Sequence, residues 1–243
     1  MILLVADPGR PRLTWYGGEG ERVELSGAVL QNWVNKTTNL LVEEFDAAPG
    51  MRVLLDLPVH WRAVLWALGA WRCGATVVLA PASETVDMDV DIHLDADADV
   101  DVVVTSRPEA WTGAGAQLVA VALPALARRF GGDLPPGAID AAAAVMTYGD
   151  VVVWAPEPDP DEAAIDAPPS APVAFAQLFG DGDGDRPRAV VDGDRPADVV
   201  LRELLDLWSA DGSAVLAGPD ATRELRADPT RLARLRDTER VTA

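Results

Sequence analysis

The sequence contains very little of several residue types that common functional sites require. Its 243 residues include one cysteine, Cys73, and one lysine, Lys36, beside 19 arginines. A single cysteine excludes an internal disulfide and a cysteine-rich metal site, and the apolar stretch around Cys73 predicts a buried structural thiol. The motifs G-x-S-x-G, H-E-x-x-H and G-x-G-x-x-G are absent from the sequence. These signatures therefore predict no catalytic residue.

Long apolar runs are absent as well. No stretch approaches the ~18 residues that a membrane-spanning helix needs. The first residues, MILLVADPGRPR, lack the basic start and the long apolar core of a signal peptide. These two features predict a soluble cytoplasmic protein.

Positive charge is scarce. The net charge is −19, with 27 Asp and 12 Glu against 20 basic residues. Such a surface repels nucleic acid and anionic membranes, so neither is predicted as a partner. A GC-rich coding bias or adaptation to high salt explains the acidic composition without a binding role.

Hydrophobic patterning predicts alternating strands and helices. Ser26 is a candidate N-cap for a helix through Leu41, and a second helix over residues 61–73 stops at Gly74. Continuous apolar runs have the character of strands buried on both faces of a parallel sheet. The predicted strands cover residues 13–16, 52–58, 76–80, 102–105, 117–123, 151–155, 173–179, 188–192 and 213–218. Further helices are predicted over residues 124–130, 197–208 and 229–238.

An acidic run occupies residues 86–106, with Asp at positions 87, 89, 91, 95, 97, 99 and 101. Its period of two predicts either an edge strand with one charged face or a loop, and charges on an edge discourage aggregation. His93 lies within the run, where neighbouring carboxylates favour its protonated form.

The domain organisation follows from a segment rich in proline. Residues 156–172 contain six prolines and predict a linker without regular structure. We therefore expect a first α/β subdomain over 1–155 and a second, incomplete one over 173–243. Strands that alternate with helices predict an α/β fold with mostly parallel pairing throughout.

The stretch LFGDGDGDRPRAVV, residues 178–191, is compatible with a phosphate-binding loop, a calcium loop or a solvated turn. The calcium interpretation matches four aspartates to positions 1, 3, 5 and 12 of an EF-type loop, namely Asp181, Asp183, Asp185 and Asp192. However, Arg186 stands where the sharp turn needs glycine, Pro187 follows it, and no predicted helix precedes the loop. A solvated acidic loop is therefore favoured over a calcium site, and no metal ligand is predicted.

Four segments occur in a characteristic order. They are TWYGGEGERVELSGAVLQNWVNKTTNLL, APGMRVLLDLP, GAWRCGATVVLAP and, near the other end, DPTRLARLRDTERVTA. Together they resemble the amino-terminal domain of the adenylate-forming, AMP-binding enzymes, which are the acyl-CoA synthetases, luciferases and adenylation domains of peptide synthetases. The chain is also similar to a group of short actinobacterial proteins. The resemblance implies a truncated, degenerate relative with two flavodoxin-like, mostly parallel sheets.

This resemblance aligns the family's phosphate loop, S-G-T-T-G-x-P-K-G, with residues 181–189. The implied nucleotide-binding positions are Asp181, Gly182, Asp183, Gly184, Asp185, Arg186 and Arg188. A carboxylate about 5 Å from a phosphate charge costs about 3 kcal/mol at an effective dielectric of about 20, and two arginines cannot offset three such carboxylates. The loop is therefore predicted to be vestigial and disabled, and no cofactor is predicted.

The resemblance also implies three catalytic elements that have no counterpart here: a Y-G-x-T-E motif, a ribose-binding G-D and a catalytic lysine on a mobile carboxy-terminal domain. The single lysine, Lys36, falls in the first predicted helix. Without these groups, adenylation would lose its main electrostatic stabilisation, so the chain is predicted to be non-catalytic for that reaction.

Histidine and tryptophan supply the remaining candidates. His60 follows a predicted strand at a position where α/β proteins often bind ligands, but capping or surface packing is the favoured role. Trp61, Trp66 and Trp71 share one helix, so some of them are expected to face away from its core stripe. Packing between helix and sheet is favoured over an exposed aromatic patch for a partner.

Three functions remain open at this point. The first is a non-catalytic scaffold or regulatory protein that forms a homo-oligomer or binds another protein. The second is a small-molecule binder that keeps an adenine or acyl crevice. The third is a ligase component that a second chain completes.

Overall fold

The computed structural model describes residues 7–79, 99–180, 182 and 184–243. Strands and helices alternate along this part of the chain. The strands are β1 (Pro11–Tyr16), β2 (Arg22–Ser26), β3 (Arg52–Asp56), β4 (Thr76–Leu79), β5 (Val102–Thr105), β6 (Gln117–Ala120), β7 (Ile139–Asp140), β8 (Ala163–Asp166), β9 (Val173–Ala174), β10 (Arg188–Asp192) and β11 (Ser213–Ala217). The helices are α1 (Gly27–Phe45), α2 (Trp61–Arg72), α3 (Ala141–Ala144), α4 (Ala197–Ser209), α5 (Pro219–Ala227) and α6 (Pro229–Thr238). Among these helices, none has both the length and the apolar character needed to cross a bilayer.

Contacts divide the chain into two units. The first unit comprises Met1–Trp33, Pro58–Leu65 and Ala176–Ala243, and the second comprises Val34–Leu57 and Trp66–Phe175. Each unit contains one sheet whose strands are mostly parallel. The predicted α/β fold with two largely parallel sheets is confirmed.

The sheet of the first unit has the strand order β10-β11-β1-β2. Strands β10, β11 and β1 are parallel, and β2 returns antiparallel at one edge. All five residues of β11 are buried, as expected for a central parallel strand. Val215 and Ala217 of this strand form a core cluster with Leu225 of α5 and Leu235 of α6.

The sheet of the second unit has the order β7-β6-β5-β3-β4-β8-β9, with only β9 antiparallel. Its centre is buried on both faces, since every residue of β4 and β5 is buried. On one of these faces, Leu54, Val78 and Val103 form a cluster against which Trp111 packs. Chain order proceeds from β3 to β4 on one side and then to β5 on the other side of β3. The strand order therefore reverses between β3 and β5, which is the topological switch point of a doubly wound sheet.

The observed units differ from the contiguous subdomains expected over 1–155 and 173–243. Strand β1 pairs in parallel with β11, so that Leu13 lies opposite Ala214. This pairing places the beginning of the chain in one sheet with its end. A boundary chosen from proline content cannot register such long-range strand pairing.

The proline-rich segment 156–172 is not irregular throughout, so that prediction was wrong in part. Ala163–Asp166 forms β8, which pairs with β4 through Val77 and Ile165. The four residues of β8 contain no proline, so each keeps the backbone N–H that a sheet ladder requires.

Two further local predictions were wrong. Residues 124–130 form turns instead of a helix, and residues 151–155 form no strand. The side chain of Asn39 donates to the carbonyl oxygens of Gly149 and Val151, at 3.0 Å each. The Val151 carbonyl is a backbone group that the predicted strand would use in its ladder. The predicted strand over 173–179 is shorter, since β9 gives way to a 3-10 turn at Phe175.

Residues 86–98 of the acidic run, including His93, lie outside the described residues.

Helix α2 is buried on all sides instead of on one stripe. The exposed fractions of Trp61, Trp66 and Trp71 are 3%, 3% and 5%. The indole N–H of Trp71 donates to the carbonyl oxygen of Ala164 at 2.7 Å. The packing role is confirmed, whereas the expectation that some of these rings face away from the core was wrong.

Helix ends and the cysteine agree with the sequence. The Ser26 hydroxyl accepts from the N–H of Val29 at 3.3 Å, and the Asp228 carboxylate accepts from two N–H groups at the start of α6. Both are the side-chain caps that exposed helix N–H groups require. Cys73 is fully buried, and this burial raises the pKa of its thiol to about 11.

Gly193, directly after β10, lies too close to the neighbouring strand to carry a side chain. A Cβ there would lie 2.3 Å from the carbonyl oxygen of Ala217 and 3.0 Å from Cγ1 of Val59. We expect Gly193→Ala to lower the free energy of unfolding by about 2 kcal/mol, because backbone must move to accommodate the methyl group. Urea unfolding at 25 °C measures this.

Gly131→Ala is the matched control for that change. Gly131 has nothing within 4 Å of the added Cβ and no positive φ. It should leave stability unchanged or raise it by about 0.5 kcal/mol through the entropy of the unfolded chain. Equal effects of the two substitutions would contradict the close approach at Gly193.

Candidate functional site

The segment predicted to be a vestigial phosphate loop leads into β10 and lies against the end of α4. Asp181 and Asp183 are outside the described residues. Gly182 touches the helix end directly: a Cβ there would lie 2.0 Å from the carbonyl oxygen of Ser209. The N–H of Arg186 donates to the carbonyl oxygen of Ala210 at 3.0 Å. Backbone contacts therefore hold this segment against the helix end.

Arg186 carries the first positive charge of the segment, and this charge is already paired. Its backbone has a φ of +54°, and its Nε lies 2.8 Å from Oδ2 of Asp211. The same carboxylate lies 2.6 Å from Arg12 and 3.7 Å from Arg10. Burial opposes the charge on Asp211, but the hydrogen bond and charge of Arg12 outweigh it and hold the pKa below its ordinary value.

Arg188 carries the second positive charge, and it is turned inward. One guanidinium nitrogen lies 2.6 Å from Oε2 of Glu239 and 3.0 Å from the hydroxyl oxygen of Thr14. The other contacts of the group are to the Ser213 hydroxyl at 3.2 Å and to the carbonyl oxygen of Glu239 at 2.5 Å. Arg188 therefore joins β10 to the end of the chain.

Glu239 is the centre of this second cluster. Its carboxylate accepts from Arg22 at 2.9 Å, from the Tyr16 hydroxyl at 2.5 Å and from Arg188. Burial alone would raise the pKa of Glu239, but these three hydrogen bonds lower it to about 2. The carboxylate is thus ionised over the whole physiological range.

The described part of the segment is arranged for ion pairing within the chain. The pair of Arg186 with Asp211 is open to solvent, since the Arg186 side chain is 67% exposed. Arg188 is different, because a nucleotide phosphate binding to it would have to displace the buried carboxylate of Glu239, 2.6 Å away. Charge-assisted pairs of this length are among the stronger hydrogen bonds in proteins.

Two of the four aspartates of the calcium interpretation, Asp185 and Asp192, lie within the described residues. Asp185 is exposed, and Oδ2 of Asp192 lies 2.9 Å from Arg226. Within the described ranges, no three histidine, cysteine or acidic side chains are grouped so as to hold a metal ion.

Comparison with known proteins gives one relative in sequence and many in structure. No family model matches the chain. A protein of Mycobacterium tuberculosis, whose name gives only a numbered family, is 36% identical over 159 residues. That alignment spans 65% of this chain and 62% of the relative's length.

Solved structures cover nearly the whole chain. An acyl-CoA synthetase from Brucella canis matches 94% of it with a TM-score of 0.72 at 18% identity. The fold is that of acyl-CoA synthetases. The amide bond synthetase McbA from Marinactinospora thermotolerans, solved as a K483A mutant, matches 96% of it with a TM-score of 0.62 at 17% identity. The chain spans 44% and 45% of these two synthetases, respectively, so it corresponds to less than half of each.

Within this synthetase fold, the single lysine has a structural contact. Nζ of Lys36 donates to the carbonyl oxygen of Tyr148 in the second unit. The prediction that it lies in the first helix is confirmed. This contact ties α1 to residue 148.

His60 caps the start of α2 in the first unit. Its Nδ1 accepts from the N–H of Arg62 at 3.1 Å, and its ring lies 4.2 Å from that of Trp15. It is 4% exposed, so the capping prediction is confirmed but the position is interior instead of on the surface. Burial, with the charge of Arg62, lowers the pKa of His60 to about 3, so the ring is neutral at physiological pH.

Sequence reasoning missed a polar cluster at the switch point of the second unit. Asp56, at the end of β3, accepts from the Thr105 hydroxyl at 2.7 Å, from the Trp111 indole at 2.7 Å and from two nitrogens of Arg107. Burial opposes ionisation of Asp56, but these donors outweigh it and lower its pKa. The sequence contained a signal that could have predicted this cluster. The carboxyl ends of parallel strands meet at one edge of a sheet, and Asp56 and Thr105 are the last residues of two such strands.

Proposed function

We propose that this protein is a non-catalytic scaffold on the acyl-CoA synthetase fold, in which the segment 181–188 does not bind a nucleotide. Binding energy in such a loop comes from backbone N–H groups and from unpaired positive charge. The one observation that supports the proposal is that Arg186 and Arg188 are both paired, to Asp211 and Glu239.

The sequence adds a second argument in the same direction. Asp181, Asp183 and Asp185 place three carboxyl groups in a segment whose positive charges are already neutralised. Each would repel a phosphate by about 3 kcal/mol at about 5 Å and an effective dielectric of about 20. Nucleotide affinity through this segment is therefore expected to be negligible.

A thermal melt tests this proposal. The purified protein is heated with EDTA, with magnesium alone, with excess magnesium-ATP and with excess adenosine. A ligand at about 100 times its dissociation constant adds about 2.7 kcal/mol, which for a chain of this length is a shift of several degrees. We expect no shift with magnesium-ATP relative to magnesium alone.

The arms of the melt separate the alternatives. A shift of several degrees with magnesium-ATP would overturn the proposal. A shift with adenosine but not with magnesium-ATP would mean that the segment binds no phosphate but that the protein has a crevice for adenine. This outcome would support the small-molecule hypothesis. Excess calcium in a further arm tests the loop over residues 181–192.

A second candidate function rests on the length of the match. The chain covers 44% of the Brucella canis synthetase, and we propose as the second candidate a ligase component that another chain completes. Such a partner would have to supply the Y-G-x-T-E segment and the lysine. This second function would be supported by exchange of pyrophosphate into ATP that requires a carboxylic acid substrate. The exchange should appear only when the two chains are mixed.

A further inference from the structure

Exposed large apolar side chains are concentrated in one short segment of the second unit. Within nine residues, Met146, Val151, Val153 and Trp154 have exposed fractions of 61%, 66%, 95% and 68%. Isolated exposed apolar residues are common, but contiguous ones mark interaction surfaces. Tryptophan in particular is enriched at the energetic centre of protein interfaces.

This segment is also held firmly by the protein. Four successive carbonyl oxygens, of residues 148–151, accept hydrogen bonds from three side chains of α1. Two of these side chains belong to the buried residues Asn35 and Asn39. The backbone before Val153 and Trp154 is thus fixed, which lowers the entropy that a partner would have to remove on binding.

Acidic residues continue the surface beyond Trp154. Glu157, Asp159 and Asp161 are exposed, and prolines alternate with them. Proline lacks a backbone N–H, so this stretch does not present the continuous row of donors that the addition of a partner strand needs. Residues 151–161 therefore form an apolar and acidic surface, which we name the donor surface.

The same unit exposes a surface of opposite character. Leu126 has an exposed fraction of 94%, and Arg128 and Arg129 beside it are exposed. We name residues 126–129 the acceptor surface. Each surface combines an apolar element with charges a few residues away, and the two sets of charges have opposite sign.

We propose that the donor surface of one copy of this chain binds the acceptor surface of a second copy. With a net charge of −19, two copies repel each other unless opposite charges meet locally, and residues 126–129 provide that local positive charge. The contact is heterologous, since it joins two different surfaces, so assemblies can grow beyond a dimer. This inference rests on the scaffold function proposed above and names its binding partner, which is a second copy of the chain. Its test uses no nucleotide, so the two proposals can fail separately.

Sedimentation velocity over a range of protein concentrations tests the contact. We expect the wild-type protein to associate, and Trp154→Ala to weaken association by about tenfold. Phe179→Ala is the matched control, because Phe179 is another exposed aromatic, at 47%, in the other unit. Circular dichroism confirms that each variant is folded.

Charge reversal makes the test specific to the two surfaces. One variant carries Arg128→Glu and Arg129→Glu, and the other carries Glu157→Arg and Asp159→Arg. Each alone presents like charges on both surfaces and should be monomeric. A mixture of the two restores opposite charges at both contacts, so it should associate again.

Two results would overturn the proposal. One is a wild-type protein that stays monomeric over the whole concentration range, which would leave the donor surface to a different protein. The other is association that survives Trp154→Ala or that the mixed charge variants do not restore.

Discussion

Glu239→Gln lowers the free energy of unfolding by about 3 kcal/mol, as measured by urea unfolding at pH 7. The side chain of Glu239 is 4% exposed and pairs with Arg188, itself 14% exposed. Removing one partner of such a pair leaves the other charge buried without compensation, and that cost exceeds the net value of the intact pair. Because the pair joins β10 to the end of the chain, residues 240–243 should also exchange amide hydrogens faster.

The same substitution changes the dependence of stability on acid. The pKa of Glu239 is lowered from 4.5 to about 2 by its hydrogen bonds. A carboxyl group with a lowered pKa contributes stability that is present above the ordinary value and is lost as pH falls toward the folded value. Wild type should therefore lose stability between about pH 4.5 and 2 more steeply than Glu239→Gln.

Glu24→Gln is the matched control for this substitution. Glu24 also pairs with Arg22, but the two side chains are 39% and 41% exposed. Exposed pairs contribute about 0–1 kcal/mol, so this variant should be nearly as stable as wild type at every pH. Equal losses in the two variants would contradict a special role for the buried carboxylate.

Arg12→Met is expected to cost about 3–5 kcal/mol. The side chain of Arg12 is fully buried, lies 2.6 Å from Asp211, and donates to the carbonyl oxygens of Asp211 and Gly212. Methionine keeps most of the volume but removes the charge and the donors, so buried acceptors are left unsatisfied. Urea unfolding measures the loss.

Two comparisons make the Arg12 result interpretable. Arg223→Met removes an arginine whose pair with Asp220 is about 70% exposed on both sides, so it should change stability by less than about 0.5 kcal/mol. Since Asp211 also binds Arg186, loss of Arg12 should make residues 184–188 more accessible to proteases. Unchanged cleavage there would show that the two arginines act independently.

Arg186 and Arg188 both make ion pairs within the first unit. Arg186 and Arg188 stand in the segment that aligns with a phosphate loop, yet their partners are carboxylates of the chain itself. An ion pair within the chain stabilises the fold without any ligand.

Much of the secondary structure could be predicted because its causes are local. The spacing of apolar residues, the caps Ser26 and Asp228 and the stop at Gly74 all act within a few residues of the helices they define. The resemblance of the four segments to adenylate-forming enzymes then correctly implied two largely parallel sheets. The failed strand over residues 151–155 involves a distant group, since Asn39 donates to the carbonyl oxygen of Val151.

The candidate site was less accessible from sequence. Residues 181–188 were located by their resemblance to a phosphate loop, but nothing local indicates that Arg186 meets Asp211 or that Arg188 meets Glu239. The pairing of Asp56 with Arg107 also depends on two strands that are neighbours only in the folded sheet.

Composition and local pattern were enough to establish an α/β chain with a structural cysteine and an acidic character. Tertiary structure decided which distant segments meet. These contacts determine the division into units, the burial of β8 and the ion-pair partner of each charged side chain. Arg12 and the Asp211 carbonyl, for example, are 199 positions apart and meet because β1 pairs with β11. Periodicity acts over a few residues, whereas charge pairing in the interior is set by sheet order, which one sequence does not encode in any local pattern.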